Sequence, residues 1–302
     1  MTEADFIAAL RDLPLHPAAR GLVDDAAVLD AGPGLVLTKD MIAEGVHFLP
    51  GDPPGDVAWK LLAVNLSDLA AKGAAPIGVM LGYPLSDTGW DRAFLDGLGK
   101  AMRRFGCPLI GGDTIALPPG APRTLSLTAL GQTDRAPARG GACAGDALWV
   151  TGTIGDGGAG LAIAGGAAGP EALLRRYRRP VPRIAEGQAL AHLAGAVMDV
   201  SDGLVIDARR MAAASGLAVT IDLSRIPLSA ELKAFSGEDR AARLAAATAG
   251  DDYELLFALP AGAAPPVAAT RIGRFGEGGG ISLTDGADPV PVPGRAGFEH
   301  RA

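Results

Sequence analysis

VMDVSDGLVIDARRMAAASG, residues 197–216, decides how this chain is read. An apolar run over 196–200 ends in acids and a glycine. A helical period then runs over 204–215 until Gly216 stops it. The unit is strand, acidic turn, helix. Asp199 and Ser201 lie two apart, so they share one face of an extended backbone. Asp202 opens the helix, where free N–H groups and the helix dipole favour an anion. A simple cap by Ser201 or Asp202 is the plain alternative.

The same grammar recurs along the chain. GLVDDAAVL (21–29), LVLTKDMIAEGVHF (35–48), LLAVNLSDLAAKG (61–73), LIGGDT (109–114) and AGDDYELLF (249–257) each set acids beside an apolar run. Strands are expected over 26–29, 35–38, 76–83, 109–110, 124–130, 147–151, 217–223 and 254–259. Helices are expected over 57–72, with Asp56 as N-cap, over 90–105 and over 183–193. Thr2 and Asp5 have capping-box-like spacing ahead of a short N-terminal helix. Strands and helices mix in both halves, which argues α/β or α+β architecture. The small-residue stretch 133–145, TDRAPARGGACAG, is the natural boundary, giving domains 1–138 and 139–302.

Carboxylates at the ends of buried segments can converge in one cleft, where they repel unless they hold cations. The hard oxygen donors suggest Mg²⁺. Thr38 and Asp40 face one side of a strand. Asp68 sits in an apolar helix and needs either a metal or an ion pair; Lys60 and Lys72 are the local cations. Asp113 follows Gly111-Gly112, where phosphate oxygens could approach the backbone, or the chain simply turns.

Composition narrows the classes. Among 302 residues, 48% are hydrophobic and 20% charged, as in an ordinary globular protein. Net charge is −7 and the pI about 5.1, with no basic stripe, which argues against nucleic acid. Cys107 and Cys143 lack metal or redox spacing, and MTEADFIAAL is too acidic for a signal peptide. Those features, and the lack of a long apolar run, predict a cytoplasmic protein without membrane partners. GTIGDGGAG (152–160) lacks the acid that a dinucleotide loop needs downstream. The four histidines have no zinc or triad spacing.

Taken in order, the motifs resemble those of the thiamine-monophosphate kinases. Asp24-Asp25-Ala26-Ala27, Lys39-Asp40 through Gly45-Val46-His47-Phe48, residues 64–71, Gly111–Thr114, Asp199–Leu204 and Gly250–Leu255 carry the resemblance, with Arg179-Pro180-Val181-Pro182-Arg183. It implies a two-domain PurM-like fold, its N-terminal sheet-plus-helices domain forming a homodimer and its C-terminal domain α/β. It implies ATP and several Mg²⁺ ions in the cleft between them. By motif match, Asp25, Thr38, Asp40, Asp68, Asp113, Asp199 and Asp202 would bind metal. Gly112, Asp113, Arg139 and Ser201 would contact ATP, and His47, Asp251 and Phe298 would contact thiamine monophosphate.

The chain departs from the family pattern at Lys39 (usually Thr), Asp251 (usually Glu) and Phe298 (usually Trp or Tyr). The implied reaction moves the γ-phosphoryl of ATP onto an already ionised phosphate, so no general base is expected. Two alternatives stand beside it: a related ATP-dependent enzyme with another acceptor, and a non-catalytic nucleotide-binding protein.

Overall fold

The computed structural model describes residues 23–24, 27–29, 34–85, 87–118 and 120–300. The helix expected near Thr2 and Asp5 lies outside them, as does Asp25. The mixed α/β architecture takes the form of two sheets joined by residues 133–146.

The first sheet comprises β1 (Ala27–Leu29), β2 (Leu35–Ala43), β3 (Ala75–Leu85), β4 (Leu109–Ala116) and β5 (Thr124–Gln132), in the order β1-β2-β5-β3-β4. Helices α1 (Pro54–Ala71) and α2 (Thr88–Phe105) cover one face. Leu61, Leu62, Leu66 and Leu69 of α1 are all fully buried, because a helix this apolar all round belongs inside. Helix α2 is capped by Asp87, which accepts from the N–H groups of Gly89 and Trp90. It ends at Gly106 with φ 63°.

Two local expectations need correction. Asp56 does not cap α1: Pro53 holds the N-cap position, proline pre-forms the first turn, and Asp56 pairs with Arg179 instead. The strand expected over 109–110 runs on to Ala116 along the exposed sheet edge. Its Gly112 marks a close backbone approach, not a turn: a Cβ there would stand 2.1 Å from the Leu81 carbonyl oxygen.

The second sheet comprises β6 (Ala147–Thr151), β7 (Ala196–Val200), β8 (Ala218–Asp222), β9 (Glu254–Leu259), β10 (Ala269–Gly276), β11 (Gly280–Asp285) and β12 (Asp288–Val290). Their order is β12-β11-β8-β10-β6-β9-β7. The helices of this half are α3 (Asp156–Ala164), α4 (Glu171–Arg178), α5 (Ile184–Leu190), α6 (Leu204–Ser215), α7 (Ala230–Ser236) and α8 (Arg240–Ala249).

Helix α1 also serves this second half. Its last turn, Ala70 and Ala71, shares a core with Leu190, Val197, Leu255 and Phe257. Helix α5 crosses it so closely that a Cβ on Gly187 would lie 1.9 Å from the Ala70 carbonyl oxygen. Gly187→Ala must therefore separate the two helices, costing about 1–3 kcal/mol. The readout is thermal unfolding, with a lower midpoint expected; an unchanged midpoint would show that the crossing has slack.

Candidate functional site

A cavity of about 300 Å³ opens between the two halves. From the N-terminal half, β2 supplies Asp40, the following turn His47, and α1 Asp68. From the C-terminal half come Asp199 at the end of β7, Ser201 and Asp202 ahead of α6, Asp251 ahead of β9, and Phe298 from the tail. Most of the predicted site residues thus meet in one place.

The supports of these groups explain their positions. Thr38 donates its hydroxyl to the Asp68 carboxylate and so joins β2 to α1. Asn65 accepts the Asp40 N–H at 3.0 Å and fixes the strand against the helix. Ser67 donates to Asp199 at 2.7 Å, tying α1 to β7 across the two halves. The lysines considered as partners for Asp68 make other ion pairs, Lys60 with Asp251 and Lys72 with Asp24.

The turn before α6 is built differently from a simple cap. Gly203 holds the N-cap position, and no side chain caps the helix there. The N–H groups of Ser201, Asp202 and Gly203 all donate to the buried Asp207 carboxylate, at 3.1–3.2 Å. The donors of the turn itself are therefore engaged by the protein, whereas the helix begins only at Leu204. Burial, then the nearby Asp202 charge, push Asp207 up to about 7 against the pull of Arg210. Arg139 does not line the cavity, but it is electrostatically coupled to Asp207 and Arg210 beside Asp202.

The glycine-rich loop before α3 also receives a protein carboxylate. Asp252 accepts from the N–H of Gly155 at 2.9 Å and of Gly157 at 3.4 Å. Glu254 is gripped by Arg183 and Arg176. The Arg179–Arg183 segment is a clasp between the halves: Arg179 pairs with Asp56, and the Trp59 indole donates to the Pro180 carbonyl.

His47 accepts the Ala43 N–H on Nδ1 at 3.1 Å, so its neutral ring carries the proton on Nε2. Burial, then His300 and Lys60, hold its pKa below the usual histidine value. Asp251 and Asp202 oppose that shift without reversing it. In the interval between that lowered value and 6.5 the unfolded chain binds the extra proton. Acidification through that interval must therefore favour unfolding. Urea midpoints measured from pH 7.5 to pH 5 should fall more steeply in the native chain than in His47→Asn; parallel curves would remove His47 from the account.

Gly112 and Asp113 do not line this cavity. Strand β4 stands three strand positions from β2, roughly 14 Å at ordinary spacing. The pairing register puts Asp113 in one row with Gly82, Ser126 and Met41, on the sheet face opposite the helices.

The donor set suits a hard cation, since Thr38, Asp40, Asp68, Asp199 and Asp202 offer oxygen alone. Among the described residues, no three acidic, histidine or cysteine groups form a ready-made metal cage. Magnesium does not demand one, because it keeps waters and shares its ligands with substrate phosphates.

Comparison with known proteins decides the family. Residues 23–133 match the AIR synthase related protein N-terminal domain, and residues 144–286 its C-terminal domain. A thiamine-monophosphate kinase of Caulobacter vibrioides is 42% identical, over 99% of this chain and 91% of that protein. The chain belongs to the thiamine-monophosphate kinase family. The Escherichia coli K12 member is 40% identical over 80% of this chain and 76% of its own length. A solved structure described as AaThiL complexed with AMPPCP and TMP superposes with a TM-score of 0.87 at 32% identity, covering 99% of this chain and 97% of that one. No described helix is long and apolar enough to cross a membrane.

Set against this kinase family, the three departures have distinct settings. Lys39 reaches Ser126 on the outer sheet face, away from Asp40 and Asp68. Asp251 is held by Lys60 and by the Tyr253 hydroxyl. Phe298 packs edge-on against His300, 4.8 Å between ring centres, and His300 lies 5.1 Å from His47. The sequence did not point to Tyr177, Tyr253 and His300, and it gave Lys60 a different partner. The tyrosines and His300 line the cavity, but neither a helical period nor a tail marks a residue as facing a ligand.

Proposed function

We propose that the chain transfers the γ-phosphoryl group of ATP to thiamine monophosphate, giving thiamine diphosphate. The observation that carries this reading is one cavity lined both by Asp40, Asp68, Asp199 and Asp202 and by His47, Asp251, Tyr253 and Phe298. The acids suit a triphosphate with its cations. The rings suit a flat heteroaromatic acceptor. The naming of AMPPCP and TMP in a structure of the same fold supports both halves.

Several Mg²⁺ ions would be held by Asp40, Asp68, Asp199 and Asp202, with Asp25 and Thr38. When bound, they offset phosphate charge and help align an in-line displacement. The remaining work falls to the chain. Arg139 lies on the side of the cleft where Asp202 meets Arg210 and would steady the nucleotide. His47, neutral at pH 7, offers its Nε2–H without adding charge beside a cationic thiazolium. The acceptor phosphate arrives ionised, so no side chain must remove a proton.

Gly112 and Asp113 enter this reading through a second copy. The outer sheet face exposes Met41, Met80 and Ile115 in rows beside Asp113. Exposed apolar surface on a sheet is the mark of a covered interface. A homodimer closed through these faces would bring one copy's Asp113 towards the other's cavity. We place the boundary between the halves of each copy at residues 138/139.

The test is direct. Protein, ATP, Mg²⁺ and thiamine monophosphate together should yield thiamine diphosphate and ADP in equal amounts. ADP released without regard to the acceptor would point to a different substrate. Nucleotide binding with no turnover at any Mg²⁺ concentration would point to a binding protein.

A further inference from the structure

Lys60 is an ammonium buried on an otherwise apolar helix. Such a charge is costly unless each of its donors is used. Its Nζ donates to Asp251 at 2.5 Å and to the His47 carbonyl at 3.0 Å, and it sits 4.0 Å from the centre of the Tyr177 ring. All three partners line the cavity, while Lys60 itself lies behind its wall. Lys72, the other buried lysine of this stretch, donates to Asp24 and towards the Pro137 and Val197 carbonyls, three residues that do not line the cavity.

The loop that Lys60 grips is unusual. Asp251 and Tyr253 both have positive φ, 67° and 54°, which non-glycine residues adopt only when their surroundings impose it. Backbone bonds from Asp251 to Ser201 and from Tyr253 to Val200 pin the loop to the turn that carries Asp202. The Tyr253 hydroxyl holds the second Asp251 oxygen at 2.8 Å. The carboxylate is thus held at both oxygens, with its remaining lone pairs available to the cavity.

We propose that Lys60 is a positioning residue for the acceptor half of the site. From behind the wall it aims the shortened Asp251 side chain and locks the His47 turn and Tyr177 against it. This sets affinity for the organic acceptor and leaves the nucleotide half alone. The inference rests on the proposed kinase reading, and wild-type turnover of thiamine monophosphate is measured first so that the two can fail separately.

The experiment is a double-mutant cycle with Lys60→Gln and Asp251→Asn, following KM for thiamine monophosphate and for ATP. Each single variant should raise the acceptor KM about tenfold or more, the loss of one charge-assisted contact. The ATP KM should stay within about twofold, since that half loses no contact. The double variant should be no worse than the worse single, because both remove one shared interaction. Multiplying effects, an equal rise in both KM values, or an unaltered acceptor KM would each overturn the proposal. If Lys60→Gln does not fold, Lys60→Arg carries the test. It keeps the charge, but its planar head cannot reproduce the compact set of contacts. The acceptor KM should again rise alone, and an unchanged value overturns the proposal.

Discussion

Asp68→Asn should lower turnover at least ~100-fold, because a carboxylate holding a cation against phosphate accounts for several kcal/mol of barrier. Asparagine keeps the shape and still offers an oxygen to the Thr38 hydroxyl, so the contact between β2 and α1 survives. What it removes is one negative charge from the cavity. Half-saturation by Mg²⁺ should move to higher concentration, while the thermal midpoint of the protein without Mg²⁺ stays put or rises as acid–acid repulsion is relieved. Native kinetics in this variant would remove Asp68 from the site.

Asp113→Asn tests the second copy. Alone it should be nearly inactive, although within one chain Asp113 lies across the sheet from the cavity. Mixed with Asp68→Asn protein under conditions that exchange subunits, activity should return. Half of randomly formed dimers are mixed, and one of the two sites in each is then intact, so recovery approaches about a quarter of the native rate. If both residues instead served one chain's site, every site in the mixture would carry one lesion and nothing would return.

The two aspartates also show what the sequence could and could not reveal. Asp68 was legible because a carboxylate amid Leu61, Leu62, Leu66 and Leu69 has no cheap place to go. Asp199 and Asp202 were legible because a strand and a helix meet around them. Asp113 was legible as an acid but not as part of a strand: the glycines before it read as a phosphate approach or a turn, whereas Gly112 lets β4 approach β3 closely. Lys60 was misassigned for a related reason. It was offered as a possible partner for Asp68 on the same helix, but its true partner lies 191 residues on. Strand β10 escaped because glycine and charge interrupt ATRIGRFG, and β11 because the alternation of GISLTD rests on only two apolar residues. The acidic site was therefore readable in outline, and the groups that hold it were not, since long-range contacts leave no local spacing.

The joint ownership of α1 also limits how this chain can be dissected. Its C-terminal end completes a core whose other members, Val197, Leu255 and Phe257, belong to the second sheet. A fragment beginning at residue 139 would bare that apolar surface to water, and one ending at residue 138 would leave Ala70 and Ala71 uncovered. Each piece should therefore be less stable alone than within the whole chain. Splitting the chain for expression, or grafting the C-terminal half onto another nucleotide-binding half, therefore requires carrying α1 along with it.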